Sequence, residues 1–520
     1  MATDGNKVRQ RRKSRRGGRA ANTRATASAI QQLPWELPRI SDAPTKPLDE
    51  EAINAIHEGA MRVLEEIGIE FLHDDARQIL EKEGCTVTGD NVRMGRDFVM
   101  EQVRKAPPTF DITPRNPDRK VTIGGDHMLF GNVASPPNCS DMDRGRRVGD
   151  RSSFQDLIKL TQYFNCIHMI VGYPVEPVDI HASIRHLDCM YDALTLSDKA
   201  IHAYSLGKER IEDVMEMVRI AGGLTHEEFD ARPRMFTNIN STSPLKIDYT
   251  MIDGPMRMAR RGQPTIVTPF TLSGAMAPVT IVGAVMQANA EALALITLLQ
   301  VLNPGSPVIY GSFTSNVDMS SGAPAFGTPE YLRATQIAGQ MARFYGLPMR
   351  ASNACAANCP DSQAAWESAF SLWACLSSGT NVVYHAAGWL EGGLCANYEK
   401  FIIDCETLQQ MICYMKPMTV DVDNLAYEAI KEVGPNDNFF SATHTLERYE
   451  TAFYSPFLSD WNNFETWEER GSIRTPERAN KVWKQILEEF EAPPIDDAVR
   501  EELQAFVERR KEEGGAPTDF

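Results

Sequence analysis

The sequence predicts an α/β fold, a (β/α)8 TIM barrel with an N-terminal helical preface and a C-terminal helical and aromatic cap. The main observation is that a short apolar segment, a polar stretch and a helical pattern recur eight times over residues 128–415. A second is that glycines such as Gly346 and Gly379 stand where helix C-caps belong, and prolines precede several strands. A doubly wound open sheet is disfavoured, because no GxGxxG motif follows a predicted strand.

The first part of the chain divides into a tail and a preface. Residues 1–44 are expected to form a disordered basic tail and linker, because the first thirty positions hold nine Lys or Arg residues against one acid, Asp4. Residues 45–127 are expected to form a helical and hairpin preface. Apolar residues at helical spacing predict helices over 48–68, 74–83 and 95–105, and alternation predicts a hairpin over 110–127.

The barrel is expected over residues 128–415. Its eight strands are predicted at 129–134, 168–173, 200–205, 235–240, 265–270, 308–313, 349–354 and 382–387. Its eight helices are predicted at 151–164, 181–197, 207–222, 247–261, 280–301, 328–344, 361–378 and 396–414. In a barrel of this kind the chemistry lies at the C-terminal ends of the strands.

Residues 416–520 form a cap of different character, richer in charged and aromatic residues. Two further helices are predicted at 476–490 and 496–512. The cap either packs on the outside of the barrel or presents a docking surface for a partner protein, and the sequence leaves both interpretations open.

Composition excludes several classes of protein. The formal net charge of −17 argues against a folded surface that grips nucleic acid. No run of 18 apolar residues indicates a membrane span, and the basic N-terminus lacks the apolar segment of a secretory signal. Ten cysteines in 520 residues do not make a disulfide scaffold. A cytoplasmic protein with reduced thiols is therefore expected.

The predicted strand ends carry amides, hydroxyls and aromatic rings, including His202 and Tyr204 on the third strand. No lysine stands where a Schiff base would form, and no cluster of Asp and Glu indicates a hard-metal site. We therefore expect a nearly neutral mouth. Such a mouth suits a small cationic or zwitterionic ligand, because aromatic faces attract quaternary ammonium groups. The alternative for each single ring is ordinary packing inside the barrel.

Several stretches of the chain resemble the trimethylamine methyltransferase family of corrinoid-dependent methyltransferases. The resemblance spans residues 45–510 and is carried by segments 60–69 (AMRVLEEIGI), 106–110 (APPTF), 269–280 (PFTLSGAMAPVT), 289–291 (NAE), 360–365 (PDSQAA), 388–393 (GWLEGG) and 399–404 (EKFIID). The family's fold is a (β/α)8 barrel, in agreement with the independent strand count.

The family's methanogen members carry pyrrolysine in the loop that follows the seventh strand. The corresponding stretch here, residues 353–360, holds only standard residues, and the equivalent region is Ala356, Ala357 and Asn358. Members without pyrrolysine resemble quaternary-amine methyltransferases, for which glycine betaine is the best-known substrate type. The resemblance thus implies methyl transfer from a quaternary amine to the cobalt of a corrinoid (cobalamin). That corrinoid is supplied by a separate corrinoid-binding protein, with no tightly bound cofactor or metal in this chain, which is expected to form a homo-oligomer.

The chemistry agrees with this implication. A quaternary nitrogen leaves as a neutral tertiary amine, so no general acid and no pyrrolysine adduct is needed, and the site has only to position the substrate. We predict that rings among Phe270, Phe313, Tyr384 and Trp389 form a cage for the ammonium group. The polar residues predicted near the substrate carboxylate are Asn238, Thr268 and His385.

Three other functions remain open at this stage. The first is a trimethylamine:corrinoid methyltransferase, and the second is a barrel that binds a betaine without catalysis. The third is a zinc-dependent thiol methyltransferase on the same barrel, in which Cys355, Cys359 and His385 would hold the metal. The loose spacing of the two cysteines disfavours this last interpretation.

Overall fold

The computed structural model describes residues 30–435 and 437–518. Most of the predicted basic tail, residues 1–29, lies outside the described residues. Residues 30–44 have defined positions along the amino-terminal side of the main sheet, where the Trp35 ring packs 5.3 Å from the His168 ring and under the Arg119 guanidinium. The expected linker thus forms part of the floor of the molecule.

The preface contains three helices and five strands. They are α1 (Glu50–Arg62), β1 (Ile69–Phe71), α2 (Asp74–Lys82), β2 (Thr86–Thr88), β3 (Asn91–Arg93), α3 (Arg96–Val103), β4 (Thr109–Ile112) and β5 (Val121–Gly124). The three helices and the antiparallel β4–β5 hairpin lie where the sequence predicts them. Strands β1, β2 and β3 belong to one small sheet, and they were not predicted because each is only three residues long.

The central region alternates strands and helices. Its elements are β6 (Leu129–Asn132), β7 (Asn138–Asp141), β8 (Gly145–Val148), α4 (Arg151–Tyr163), β9 (Met169–Ile170), α5 (Arg185–Leu196), β10 (Ala200–Ile201), α6 (Lys208–Ala221), α7 (His226–Asp230), β11 (Thr237–Ile239), β12 (Lys246–Ile247), α8 (Tyr249–Arg260), β13 (Thr265–Val267), β14 (Phe270–Ser273), α9 (Ile281–Leu302), β15 (Val308–Gly311), β16 (Phe313–Val317), β17 (Pro324–Ala325), α10 (Pro329–Tyr345), β18 (Met349–Ser352), α11 (Ser362–Ser378), β19 (Val382–Ala387), β20 (Trp389–Leu390), β21 (Cys395–Asn397) and α12 (Tyr398–Met415).

Eight of these strands form one parallel sheet in the order β10-β9-β6-β19-β18-β15-β13-β11. Each lies at a predicted strand position, so the expectation of an α/β fold with eight parallel strands is confirmed. At the two edges of the sheet, His202 forms a single parallel bridge with Phe236. The amide of Ala203 also donates to the Phe236 carbonyl over 2.9 Å.

Helix boundaries follow their capping residues. The loops that leave the sheet deliver N-cap side chains such as Asp150, Thr328 and Asp361, each of which accepts a backbone N–H of the first turn. Gly346 and Gly379 end α10 and α11 in the left-handed conformation, as their sequence positions predict. Such caps explain why the sequence located these helices to within a few residues.

Apolar side chains form two separate clusters. The outer cluster lies between the sheet and the helices. The inner cluster lies on the other face of the sheet, where residues such as Ile266 and Ile309 meet Ile112 and Ile123 of the β4–β5 hairpin. The hairpin therefore packs against the inner face of the sheet.

Two small sheets extend the main sheet at its carboxyl end. One has the order β14-β16-β17 and the other β20-β21-β7-β8. Strand β14 starts just after Pro269, so a single predicted strand at 265–270 is in fact two strands that belong to different sheets. These additions form walls around the carboxyl ends of the main strands.

The C-terminal region consists of short helices followed by two long ones: α13 (Val422–Leu425), α14 (Tyr427–Val433), α15 (Thr443–Arg448), α16 (Phe464–Glu469), α17 (Thr475–Glu488) and α18 (Asp497–Glu512). The last two match the predicted helices. Helix α17 packs on α12 and α4, and α18 packs on α5 and α6.

Helix α9 is long and apolar enough, by length and composition, to cross a membrane. It is nevertheless mostly buried within this chain, because α1, α2 and α3 of the preface cover it. Among the described residues it is the one helix of this kind, and it serves here as a core helix.

Candidate functional site

A cavity of about 360 Å³ lies at the carboxyl end of the main sheet. It is lined by six of the seven residues predicted to bind substrate: Asn238, Phe270, Phe313, Tyr384, His385 and Trp389. They come from the ends of several strands and from the added sheets, which is why residues far apart in sequence meet here.

Aromatic rings form one wall of the cavity. Phe313 is its centre: its ring centroid lies 5.1 Å from Phe270, 5.4 Å from Phe326 and 6.1 Å from Trp389. The indole N–H of Trp389 donates to the Cys355 carbonyl over 3.0 Å, which fixes the orientation of that ring. This wall presents several aromatic faces and edges within a few ångströms of one another, as recognition of a quaternary ammonium group requires.

A buried guanidinium lies between the two sides of the cavity. Arg350 of β18 is 2% exposed, and its guanidinium carbon lies 4.3 Å from the centre of the Tyr384 ring and 5.4 Å from that of Phe313. Burial lowers the pKa of this guanidinium to about 10, so it remains charged at neutral pH. The nearly neutral mouth predicted from the sequence is therefore wrong, because a full positive charge stands in it.

Arg350 has no acidic partner among the described residues. Burial has the largest effect on its pKa. The side chains that also affect this pKa are two tyrosines and a cysteine, and none of them is a carboxylate. Its Nε is buried without a hydrogen bond, and the one polar contact of its Nη1 is a 3.4 Å approach to the Ser312 carbonyl. A buried charge in this state is costly unless a ligand pairs with it.

Two further buried donors beside the cavity are unused. The Tyr384 hydroxyl and His202 Nδ1 have no hydrogen-bond partner in the described structure. His202 Nε2 accepts a hydrogen bond from the backbone N–H of Asn238 over 3.0 Å. The neutral ring must therefore carry its proton on Nδ1. Burial lowers the pKa of His202 to about 3, so the ring is neutral at physiological pH. Arg350, His202 and Tyr384 all line the cavity, and each has one buried polar atom without a hydrogen-bond partner in the described structure.

The backbone at His385 adopts an uncommon conformation. Its φ is +56°, in the left-handed region, and the pairing of β19 with β6 changes register between Val383 and Ala387. Strained backbone of this kind clusters at functional sites. Here it places the imidazole 4.0 Å from the Trp389 ring, with Nδ1 3.2 Å from the Ser352 hydroxyl.

Comparisons with known proteins identify the family of this chain. The family model described as trimethylamine methyltransferase (MTTB) matches residues 14–515. A glycine betaine methyltransferase from Desulfitobacterium hafniense (strain Y51) is 36% identical over 469 residues, which cover 90% of this chain and 98% of that protein. This chain belongs to the trimethylamine methyltransferase family.

Other relatives of this chain are named for different substrates. A trimethylamine methyltransferase from Desulfitobacterium hafniense (strain DSM 10664 / DCB-2) is 27% identical, with 82% of this chain and 85% of that protein covered. The solved structure of the Methanosarcina barkeri monomethylamine methyltransferase (MtmB) matches with a TM-score of 0.50 at 12% identity, and 88% of each chain is covered. That structural likeness concerns the fold alone.

The seventh predicted binding residue of this methyltransferase, Thr268, stands behind the cavity wall. Its hydroxyl donates to Asn238 Oδ1 over 2.8 Å, and Asn238 Nδ2 donates to Asn240 Oδ1 over 3.3 Å. Both polar atoms of the Asn238 side chain, Oδ1 and Nδ2, thus have partners within the protein. Asn238 lines the cavity, but its polar side-chain atoms are less available to a ligand than those of Arg350.

The loop predicted to correspond to the family's pyrrolysine region, residues 356–358, does not line the cavity. Glu367 Oε2 accepts the amides of Ala356 and Ala357 over 2.8 and 3.0 Å, which holds the loop behind Trp389. Asn358 lines a separate surface depression together with Cys359. In the described residues no group of three His, Cys, Asp or Glu side chains is arranged to hold a metal ion. Cys355 is buried and Cys359 is exposed, so the zinc interpretation lacks a suitable donor set.

Sequence reasoning passed over three kinds of cavity residue. Arg350 is the one charged residue of strand β18, and the sequence alone does not show that its long side chain reaches the cavity. His202 and Tyr204 stand at the end of a predicted strand and line the cavity, but the sequence did not predict them to bind the ligand. Phe326 follows a two-residue strand in a polar loop, and nothing in its sequence neighbourhood indicates that it reaches the site.

Proposed function

We propose that this enzyme transfers a methyl group from a carboxylate-bearing quaternary amine, glycine betaine or a similar betaine, to the cobalt of a corrinoid held by a partner protein. The observation that carries the proposal is the buried, unpaired Arg350 guanidinium next to an aromatic wall. A betaine has a carboxylate for the first and a quaternary ammonium for the second. The relative named glycine betaine methyltransferase supports the same substrate class.

In this proposal the carboxylate binds Arg350, with the Tyr384 hydroxyl and His202 Nδ1–H as further donors. The ammonium group then rests against Phe270, Phe313, Phe326 and Trp389. Because Arg350 already covers the Tyr384 ring face, Tyr384 contributes its hydroxyl rather than its ring to binding. This revises the cage predicted from the sequence, in which Tyr384 was a wall and Asn238, Thr268 and His385 were the polar partners.

The residues present suit a corrinoid that arrives from outside. A cavity of about 360 Å³ accommodates a small amine and is too small for a corrin macrocycle. When present, the Co(I) corrinoid supplies the nucleophile that accepts the methyl group. The side chains of this enzyme bind the substrate, orient one N-methyl group toward the open side of the cavity and exclude water, and the neutral amine product needs no proton donor.

We also propose that the eight-stranded sheet closes into a (β/α)8 barrel at the His202–Phe236 bridge. The separate inner cluster and its hairpin floor support this, since a closed barrel needs an interior filled by side chains. In this division residues 45–127 form the preface, 128–415 the barrel and 416–520 the cap.

Trimethylamine is the second candidate substrate, because relatives carry that name. It lacks a carboxylate and would leave Arg350 unpaired, so we place it second. A barrel that binds a betaine without catalysis is the third possibility, and it differs from the proposal only in the transfer step.

The test is a substrate comparison with Co(I) cobalamin, followed by the absorbance of methylcobalamin. We expect transfer from glycine betaine and little from choline, which has the same ammonium group but no carboxylate, or from trimethylamine. Arg350→Gln should raise the KM for glycine betaine by roughly 10- to 100-fold, since hydrogen bonds to charged groups contribute about 1.5–3 kcal/mol. Arg333→Gln makes the same change on the exposed face of α10 and is the matched control.

Equal transfer from all three amines, or an Arg350→Gln enzyme with unchanged KM, would contradict the proposal. Glycine betaine binding measured by calorimetry, without any methylcobalamin, would instead indicate the non-catalytic barrel. If Arg350→Gln does not fold, Arg350→Lys retains the charge but loses the planar donor pair and should still weaken binding.

A further inference from the structure

The outward face of helix α11 is apolar and uncovered. Trp366, Phe370 and Trp373 recur at helical spacing and are 52, 54 and 50% exposed. The one charged residue of this 17-residue helix, Glu367, points inward to the loop behind Trp389. Tyr414 of α12, 53% exposed, extends the surface through a 5.3 Å contact with the Trp373 ring. We call these four aromatic residues the α11 face.

The chain covers another long helix that has only one charged residue. Helix α9 has a single charged residue, Glu291, and three preface helices pack on it. Similarly, α17 lies on α4 and α12, and α18 lies on α5 and α6. In the part of the chain that the structure describes, no such helix lies on the α11 face. Half-exposed aromatic residues that line up on one uncharged helix face are typical of an interaction surface.

Residues 417–453, which we call the arm, also expose many apolar side chains. The arm exposes eleven large apolar side chains: Met418, Val420, Val422, Leu425, Tyr427, Ile430, Phe439, Phe440, Leu446, Tyr449 and Phe453. Its described hydrogen bonds stay within it, for example His444 Nε2 to the Asp423 carbonyl at 3.1 Å. It is anchored to the body at its ends, where Lys416 pairs with Glu36 and Tyr454 contacts Glu406.

We propose that two copies of this chain form a two-fold dimer in which the arm of each copy packs on the α11 face of the other. The arm begins at the border of the α11 face, because Lys416 follows Tyr414 by two residues, so an exchanged arm and its receptor surface are continuous in each copy. A two-fold axis makes both contacts equivalent, as closed dimers require.

The area and position of the surface favour a second copy. Aromatic side chains bury roughly 150–250 Å² each, so four half-exposed rings provide about 300–500 Å². With eleven apolar side chains of the arm, the surface on each copy exceeds the ~800 Å² of a standard interface. Tyr414 lies near the C-terminal end of α12, which runs from the carboxyl end of the sheet toward its amino end. A corrinoid partner must instead face the cavity at the carboxyl end.

The N-terminal residues of the chain are a poor alternative cover. Nine of the first thirty positions are Lys or Arg and few are large apolar residues, so this segment lacks the side chains that would bury four aromatic rings.

The first experiment measures mass in solution by light scattering and sedimentation over a range of concentrations. We expect the full chain at twice its 58.0 kDa mass. The double variant Trp366→Glu/Trp373→Glu, and a chain in which a short Gly-Ser linker replaces residues 417–453, should each be monomeric. Ile67→Glu is the matched control, because Ile67 is 57% exposed on the preface, away from both surfaces.

The second experiment mixes the two variants. The linker chain has an intact α11 face, and the Trp366→Glu/Trp373→Glu chain has an intact arm. The exchanged dimer allows one of its two contacts in this mixture, so a weak heterodimer should form. A dimer made of two α11 faces, or of two arms, predicts none. Because neither variant touches the cavity, both should still bind glycine betaine, which checks that they are folded.

Three results would overturn the proposal: a monomeric full chain at every concentration, variants that remain dimeric, or an absent heterodimer in the mixture. If a partner protein, and not a second copy of this chain, covers the α11 face and the arm, the variants will behave differently. In that case the arm and face variants keep the mass of the full chain and methylate free cobalamin normally, but fail with the corrinoid protein.

Discussion

The buried imidazole of His202 illustrates how one hydrogen bond determines the role of a side chain. The Asn238 amide donates to Nε2, so the remaining proton sits on Nδ1 and has no partner within the described structure. Burial lowers the pKa of the ring to about 3, and it therefore stays neutral. A neutral donor beside Arg350 adds a hydrogen bond to a bound carboxylate without adding charge repulsion.

The first prediction concerns this donor. His202→Phe retains an aromatic ring but removes the N–H, and we expect the Kd for glycine betaine to rise by roughly tenfold, in line with about 1.5 kcal/mol for a hydrogen bond to a charged group. Calorimetric titration measures the Kd. His226→Phe, on the exposed start of α7, is the control. Unchanged affinity together with lower stability would show that His202 only supports the Asn238 amide.

The second prediction concerns Trp389. Removal of its ring by Trp389→Ala should weaken glycine betaine binding by roughly 2- to 30-fold, because cation–π contacts contribute about 0.5–2 kcal/mol. The matched probe is 3,3-dimethylbutanoate, in which a neutral carbon replaces the nitrogen. Its binding should change less, since it has no cation to attract the ring. If the variant loses affinity for both compounds equally, Trp389 acts by packing alone.

Three aromatic residues of the cavity lining could be predicted from the sequence. Phe270, Phe313 and Trp389 were accessible from the sequence, because rings at strand ends form a recognisable pattern. Arg350 was not, since strand residues alternate between faces and the sequence does not show that its long side chain reaches the mouth. Whether a buried charge has a partner depends on neighbours from other strands, which become adjacent only in the folded chain.

At the scale of elements, helix α9 supports the loop that follows strand β11. Glu291, fully buried on this helix, accepts the Ser243 hydroxyl over 2.6 Å, the Leu245 amide over 2.9 Å and Gln287 Nε2 over 2.9 Å, and it also contacts Ser241. This loop leaves the cavity directly after Asn240. Glu291 therefore links a core helix to one rim of the site.

The third prediction follows from that link. Glu291→Gln replaces one acceptor oxygen with a donor, which leaves at least one buried group unsatisfied, and we expect a loss of about 1–3 kcal/mol in the free energy of unfolding. The KM for glycine betaine should rise with it, because the rim loses its support. Urea unfolding and steady-state kinetics measure the two effects. Glu330→Gln, on the exposed start of α10, provides the comparison.

The small sheets at the carboxyl end of the main sheet could not be predicted from the sequence. The periodic pattern located the eight main strands because each lies in a short segment with apolar residues between helices and turns. Strands such as β14 and β16 contain polar residues that pair with one another: the Thr271 and Thr314 hydroxyls lie 2.6 Å apart. Their register depends on contacts between segments about 40 residues apart, and no local pattern indicates such a pairing.

At the scale of the whole molecule, burial keeps several imidazoles neutral. His168 Nδ1 accepts the Phe130 amide over 3.1 Å, and its Nε2–H donates to the Glu36 carbonyl over 3.0 Å, so neither nitrogen can take another proton without losing a bond. Burial lowers the pKa of His168 and of His202 to about 3. The pKa of His385 is also far below its ordinary value, through burial and the nearby Arg350.

The last prediction is the pH dependence of stability. Below the unfolded-state pKa of 6.5, the unfolded chain binds protons at these histidines and the folded chain does not, so the free energy of unfolding must fall as pH falls from 6.5 toward 3. Each imidazole contributes roughly 1.4 kcal/mol per pH unit in this range. Urea unfolding between pH 7 and 5, where most carboxylates stay ionised, should therefore show that the free energy of unfolding falls steeply with pH. In His202→Gln this slope should be smaller by the equivalent of about one proton taken up on unfolding. A midpoint that does not change with pH would mean that these rings accept protons in the folded state, and the tautomers inferred at the site would then be wrong.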